Sequence, residues 1–284
     1  MTQRSAPTGR QRRLAREMRR LREQAGVSIQ GAAAMLGADR SMISNIEAGR
    51  TGLSEDRVRQ IACHYKCPDP ALVDALADMT ADHRTHHWWA EYRGKLPNGF
   101  LDVSDIEHHA TRIRTAQTVH LPGLFQTEEH ARALFDLAVP KLPRLEVELR
   151  VAHRMGRQSI LDGDAPTPYT GIIHEAALRL EFGGRKVARQ QLHHLIEAAD
   201  RPHVTLLVIP FSAGAFHGAG QSILYTEGMV PQLDTVQLDT ALGGDFVDAP
   251  TPLANYRSLL DFMESSALSP DESQKLIRSI AQDL

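Results

Sequence analysis

From Arg10 onward apolar residues recur at helical spacing. Leu14, Met18, Leu21 and Ala25 share one stripe, while Arg12, Arg13, Arg16, Arg19, Arg20 and Arg22 fill most of the remaining surface. Gly26 suits the stop of this first helix. A second helix opens on Ser28, a good N-cap, and runs through Ala32, Ala33, Met35 and Leu36 to Gly37. A short third helix is capped by Asp39, turns Ile43 and Ile46 inward and ends at Gly49. A fourth is capped by Ser54, carries Glu55 and Asp56 at its positive end and buries Val58, Ile61, Ala62 and Tyr65. Asp69-Pro70 opens a fifth through Leu72, Val73, Leu76 and Met79. Five amphipathic helices over 10–79 make a complete all-α domain, preceded by an aperiodic, loose arm over 1–9.

Residues 80–99 read as a linker helix around Trp88, Trp89 and Tyr92, ending before Leu96-Pro97-Asn98-Gly99. The two tryptophans are expected to pack the headpiece onto the C-terminal body. Over 100–284 helical stretches (105–110, 127–137, 145–161, 175–182, 186–199, 256–266 and 270–283) mix with strands at 170–174, 204–209, 222–226 and 235–238. That order predicts an α+β domain, a small mixed sheet covered by helices.

Composition adds one feature to this picture. The chain of 284 residues carries a net charge of only −3, but residues 1–66 hold 13 Lys and Arg against 6 Asp and Glu, leaving 19 against 29 in the remainder. A basic headpiece on an acidic body is the distribution of a chain that meets a polyanion at one end. Two cysteines exclude a disulfide scaffold, and neither a secretory leader nor a membrane-length apolar run is visible. A reduced, cytoplasmic chain that avoids membranes is expected.

The turn Leu36-Gly37-Ala38-Asp39 sits where two helices must meet steeply, and Gly37 supplies the permissive backbone. Ala33 is small enough for the second helix to approach the third. With Ile43 and Ile46 packed inward, Arg40, Ser41, Ser44 and Asn45 point away. Laid in a major groove, Arg matches guanine, Asn matches adenine, Ser reaches several edges and Met42 meets a thymine methyl. A double-stranded DNA operator is the expected partner, read by helix 3 over 39–48. One short helix contacts few bases, so a homodimer on two half-sites is expected.

Residues 10–79 resemble the XRE, or lambda-repressor-like, helix-turn-helix domains. The resemblance lies in Leu21-Arg22-Glu23-Gln24-Ala25-Gly26-Val27-Ser28, in Ala32-Ala33-Ala34-Met35-Leu36-Gly37 and in Ser41-Met42-Ile43-Ser44-Asn45-Ile46-Glu47-Ala48-Gly49-Arg50. It implies that Glu47 pairs with Arg22, that Arg40, Ser41 and Asn45 read bases, and that Arg50 with neighbouring Thr51 holds phosphate. The family's phosphate-contacting Gln falls at Ile29, which cannot do that job, and Gln30 is its substitute.

The body is similar to a second family. Leu121-Pro122-Gly123-Leu124-Phe125-Gln126-Thr127, the arginine-rich helix Arg150–Gln158, His174-Glu175-Ala176-Ala177-Leu178 and Ile209-Pro210-Phe211 match, in order, the uncharacterised domain behind XRE headpieces in bacterial antitoxin-like regulators. This implies a regulator paired with a small companion protein. A pocket for a small-molecule effector is the alternative.

No enzyme is expected. Ser212 and Ser222 lack a nucleophile elbow, and the glycine-rich segment 214–220 lacks the lysine of a phosphate loop, so it reads as a turn between strands. Metal binding is not expected either. His83, His86 and His87 sit close together, but His108-His109 and His193-His194 are adjacent pairs that diverge on a helix, no His-Glu-x-x-His occurs, and Cys63 reads as helix core. No cofactor is implied. Arg150, Arg154 and Arg157 share one helix face and could hold an anion, though a solvated face or pairing with Glu146 and Glu148 explains them more simply. Glu175 reads as a helix-dipole cap.

Overall fold

The computed structural model describes residues 7–81, 87–218, 220–240 and 243–284. The chain forms two compact units, Met1–His87 and Trp88–Leu284.

The first unit is all-helical: α1 (Gly9–Gln24), α2 (Ile29–Met35), α3 (Arg40–Glu47), α4 (Glu55–His64) and α5 (Pro70–Ala81). Thr8 closes a capping box with Gln11, so helix starts within the stretch expected as an arm. Leu14, Met18, Leu21, Ala32, Ala33, Ile43, Ile46, Val58, Ile61 and Leu76 form the core. Ala25 and Met35, expected inside, are exposed, because each falls where its helix is ending. Cys63 is exposed too, not core, since Ile61 and Ala62 take the inward face of α4.

Residues 82–86, with His83 and His86, lie outside the described residues. No linker α-helix is formed by the residues beyond them: Trp88–Tyr92 is a single 3₁₀ turn, and Pro97 opens α6 (Asn98–His108) where a helix end was expected. Trp88 and Trp89 pack edge to face, 5.6 Å apart, with Tyr92, Leu96 and Leu101 nearby, so they build a small core within the second unit.

That unit continues with β1 (Arg112–Gln117), α7 (Glu128–Asp136), α8 (Arg144–Arg157), β2 (Tyr169–His174), α9 (Glu175–Arg179), α10 (Arg185–Ala199), β3 (Val204–Ile209), β4 (Ile223–Glu227), β5 (Thr235–Thr240), β6 (Gly243–Val247), α11 (Pro250–Ser265) and α12 (Pro270–Asp283). The sheet is mixed, with order β3-β2-β1-β4-β5-β6. β1, β2 and β3 run parallel, while β4, β5 and β6 pair antiparallel in turn. Strand alternation sends Ile113, Tyr169, Ile173, Val204, Leu206, Val208 and Leu224 to a face covered by α10 and α12. Ala116, Ile172, Ile209, Ile223, Tyr225 and Val236 go to the other, beneath Leu253, Leu260 and Met263 of α11. The expected α+β body is therefore present, with β1 and β6 additional to the four strands the pattern predicts. Among the described residues no helix is long and apolar enough to cross a membrane.

Candidate nucleic-acid interface

The geometry around α3 is set by its two ends and its two faces. At its start Asp39 accepts from Met42 N at 2.7 Å and from the Ser41 hydroxyl at 2.7 Å, which holds the carboxyl below its ordinary range. The turn before it is fixed by Gly37 at φ +59° and by Ala38 N donating to Ala33 O at 2.9 Å. Arg57 of α4 braces the same turn by donating to Leu36 O at 3.2 Å, a role the sequence pattern did not single out. At its end Glu47 accepts from Arg22 Nε at 2.6 Å and Nη2 at 3.0 Å, and Arg22 Nη1 also donates to Val27 O at 2.8 Å. Gly49, at φ +69°, passes so close to α1 that a Cβ would stand 3.3 Å from Gln11 O.

Ile43 and Ile46 are buried behind the helix. In front, Arg40, Ser41, Met42 and Ser44 are exposed and Asn45 is half-buried. Gln30 and Arg50 are exposed and Thr51 is half-buried, with Arg50 N and Thr51 N both donating to Asn45 O at 2.9 and 3.3 Å. Ile29 is half-buried, away from any polar task. Among the described residues the Arg40 and Arg50 side chains hold no hydrogen bond or ion pair. Ser41 has its proton engaged with Asp39 and offers only lone pairs outward. The arginines of α1 do not form one solvated face: Arg13 and Arg22 are buried, the first 3.0 Å from Glu17.

In the second unit the run Leu121–Thr127 is a structural knot. Leu121, Leu124 and Phe125 are buried in the core. Gln126 Nε2 donates to Leu121 O at 2.8 Å, Gln191 Nε2 to Phe125 O at 2.6 Å and Thr127 N to Gln191 Oε1 at 2.7 Å. The polar members of the run thus satisfy backbone that the apolar members bury.

Residues 13–76 match a family described as a helix-turn-helix domain. Residues 100–279 match a domain of unknown function, DUF5753, over more than half of the chain. The protein belongs to the DUF5753 family. No curated protein and no solved structure matches it.

In the DUF5753 body Arg150, Arg154 and Arg157 of α8 form neither a solvated face nor a uniform set. Arg150 pairs with Glu146 at 2.6 Å and lies over the rings of Phe100 and Phe135. Arg157 grips Glu107 of α6 through two bonds of 2.6 and 2.8 Å. Arg154 donates to Gln126 Oε1 and lies over Phe135 at 5.2 Å. Glu148 is taken by Arg132 instead. Glu175 does more than sit at a helix dipole: it accepts from Phe211 N at 2.8 Å and Arg179 Nε at 2.8 Å, while His174 caps the helix by accepting from Ala176 N. The glycine-rich segment lies between β3 and β4, with residue 219 outside the described residues. His108 and His109 do not diverge as expected: at the end of α6 their rings meet edge to face at 4.8 Å, because His109 already lies in the helix cap.

Proposed function

We propose that this chain is a sequence-specific transcription regulator of XRE type that lays α3 in the major groove. The observation that carries the reading is the division of labour on α3. Its inner face and both ends are tied down by Ile43, Ile46, Asp39 and Glu47, while Arg40 at its start and Arg50 just past its end are exposed, with no partner among the described residues. A rigid helix with unneutralised cations is what base and phosphate contact requires. Arg40, Ser41, Met42, Ser44 and Asn45 would face base edges, and Gln30, Arg50 and Thr51 the phosphates. Two copies would place their α3 helices about 34 Å apart, or a multiple of that, on a two-fold operator. The body would dimerise and sense rather than catalyse. The test is genome-wide mapping of bound sites for the protein and for an Arg40→Ala/Asn45→Ala variant. A shared motif in the first set that vanishes in the second supports the reading; identical site sets overturn it.

A second reading, an antitoxin-like module that docks a small companion protein, draws on the exposed Leu137 and Val139 between α7 and α8 and Leu145 in the first turn of α8. Co-purification with a neighbour-encoded small protein, lost in a Leu137→Asp/Leu145→Asp variant, would support it. Retention of the partner by that variant would remove this surface from the account.

A further inference from the structure

We propose that the body holds a binding pocket for a small oxyanion, a phosphate ester or a carboxylate, between Arg154, Arg157, His120 and His130. The place is set by topology. The chain builds β1, β2 and β3 outward in one direction and then returns to put β4 on the other side of β1. In open sheets with parallel strands, ligands sit outside the carboxyl ends of strands at such a reversal. His120 and Gln126 lie in the loop after β1, and Phe182 lies beyond β2 and α9. β5 runs in the direction of β1, so Asp239 near its carboxyl end stands at the same edge.

Charge at this edge is out of balance. Glu107 neutralises Arg157, but Arg154 has no carboxylate partner among the described residues and donates only to the neutral Gln126. Burial, with the charge of Arg157 beside it, pushes the Arg154 pKa down to about 9. Asp239 acts on Arg154, Arg157 and His120 through space, without an ion pair to any of them. A half-buried cation with no carboxylate on it is poorly solvated, and an anion joining it restores the balance. Gly123 shows where the two guanidiniums converge. A Cβ on Gly123 would stand 3.3 Å from Arg154 Nη1 and 3.5 Å from Arg157 Nη2, so any side chain there would fill the space they face.

The second, independent sign is His130. It is 1% exposed, yet neither ring nitrogen has a hydrogen-bond partner. Burial, with His120 and Arg154 nearby, lowers its pKa to about 4, so the ring is neutral, with one donor and one acceptor unused. Its ring packs on Phe182 at 5.6 Å, and His120 packs on the same ring at 5.4 Å. An oxyanion beside Arg154 would receive the His130 N–H, and Phe182 offers a flat apolar wall to the rest of the ligand.

This deepens the sensing role proposed for the body and is separable from DNA binding. The probes are phenyl phosphate and benzoate, titrated by calorimetry into the full chain at fixed ionic strength. Saturable binding of one of them is expected in the protein and in its Arg50→Ala variant, at least tenfold weaker in Arg154→Gln. No saturable binding of either probe, equal affinity in Arg154→Gln, or loss in Arg50→Ala alone would overturn the pocket. Should Arg154→Gln fail to fold, NMR titration of the His130 ring in the unaltered protein decides. Its pKa rises on adding the probe if the anion lies there; an unchanged value overturns the proposal. Probe binding that leaves operator affinity unaltered would sink the sensing role and keep the pocket.

Discussion

The Arg22 guanidinium lies against the Glu47 carboxylate in a two-bonded fork, at 2.6 and 3.0 Å, tying the end of α3 to α1. Both side chains are almost wholly buried. The worth of such a pair appears when one partner is removed, because the other is left charged in a poor solvent. Glu47→Ala is expected to destabilise the first unit by about 3 kcal/mol, and the double change Arg22→Met/Glu47→Leu by much less. Urea unfolding of the single and double variants measures both. Equal losses would mean that the fork contributes through packing alone.

Arg40 and Arg50 should fail differently. Arg40 stands at the first position of α3, where a fork can meet one guanine, so Arg40→Ala is expected to cost about 1–3 kcal/mol at one operator position and little elsewhere. Arg50 lies past the helix end, and Arg50→Ala should weaken all sequences alike and flatten the salt dependence by about one charge. Ser41, with its proton held by Asp39, should accept from cytosine or adenine amino groups only. Binding across an operator library at two salt concentrations resolves all three.

His153 makes the body acid-sensitive. Its ring is enclosed by Trp88, Tyr92 and Phe100, and its Nε2 lies 3.0 Å from Ser104 Oγ. Burial, reinforced by Arg157 and Arg154, lowers its pKa to about 3. The unfolded chain therefore binds a proton near pH 6.5 that the folded chain refuses until about pH 3. Stability from this group is complete above pH 6.5 and is lost progressively as pH falls across that window; His130 acts likewise down to about 4. Denaturant midpoints at pH 7.5 and 5.0 should differ, and His153→Leu should narrow the gap. An unchanged gap would assign the acid sensitivity to other groups.

The Trp88 ring also polices α8. A Cβ on Gly156 would stand 2.7 Å from Trp88 Cζ3. Gly156→Ala would gain up to about 1 kcal/mol of helix propensity, yet overpacking of a closed aromatic box costs about 1–3 kcal/mol, so a lower melting temperature is expected. A higher one would show that the indole yields freely.

The headpiece was legible because its caps and apolar stripe are local signals. Thr8, Ser28, Asp39 and Ser54 each accept a backbone N–H at a helix start, and three of the four stand out in the sequence. The body was less so. Strands β2 and β3 announce themselves as apolar runs, but β1, where the parallel half meets the antiparallel half, reads Arg-Ile-Arg-Thr-Ala-Gln. Past the exposed Arg112, its polar side chains are buried, and partners far along the chain receive two of them: Thr115 Oγ1 meets Tyr169 Oη at 2.6 Å, and Arg114 reaches α11. No local pattern encodes such pairings. The same holds for Arg154 and Arg157, whose spacing was visible but whose unequal neutralisation depends on Glu107, fifty positions away from Arg157.

Arg114 shows what a buried cation contributes when its partners can return to water. Its guanidinium reaches Asp261 at 2.7 Å and Glu264 at 2.8 Å, and both carboxylates keep contact with solvent. Removing Arg114 strands no buried charge, unlike removing Glu47. The loss lies in the buried aliphatic stem, which strand alternation puts on the same face as Ala116, the face under α11. Arg114→Ala should therefore cost about 1–3 kcal/mol through the cavity it leaves, and Arg114→Leu, which refills the space, less than about 1 kcal/mol. Thermal unfolding of the two variants separates the terms. If Leu and Ala prove equally damaging, the ion pairs rather than the stem hold α11 to the sheet.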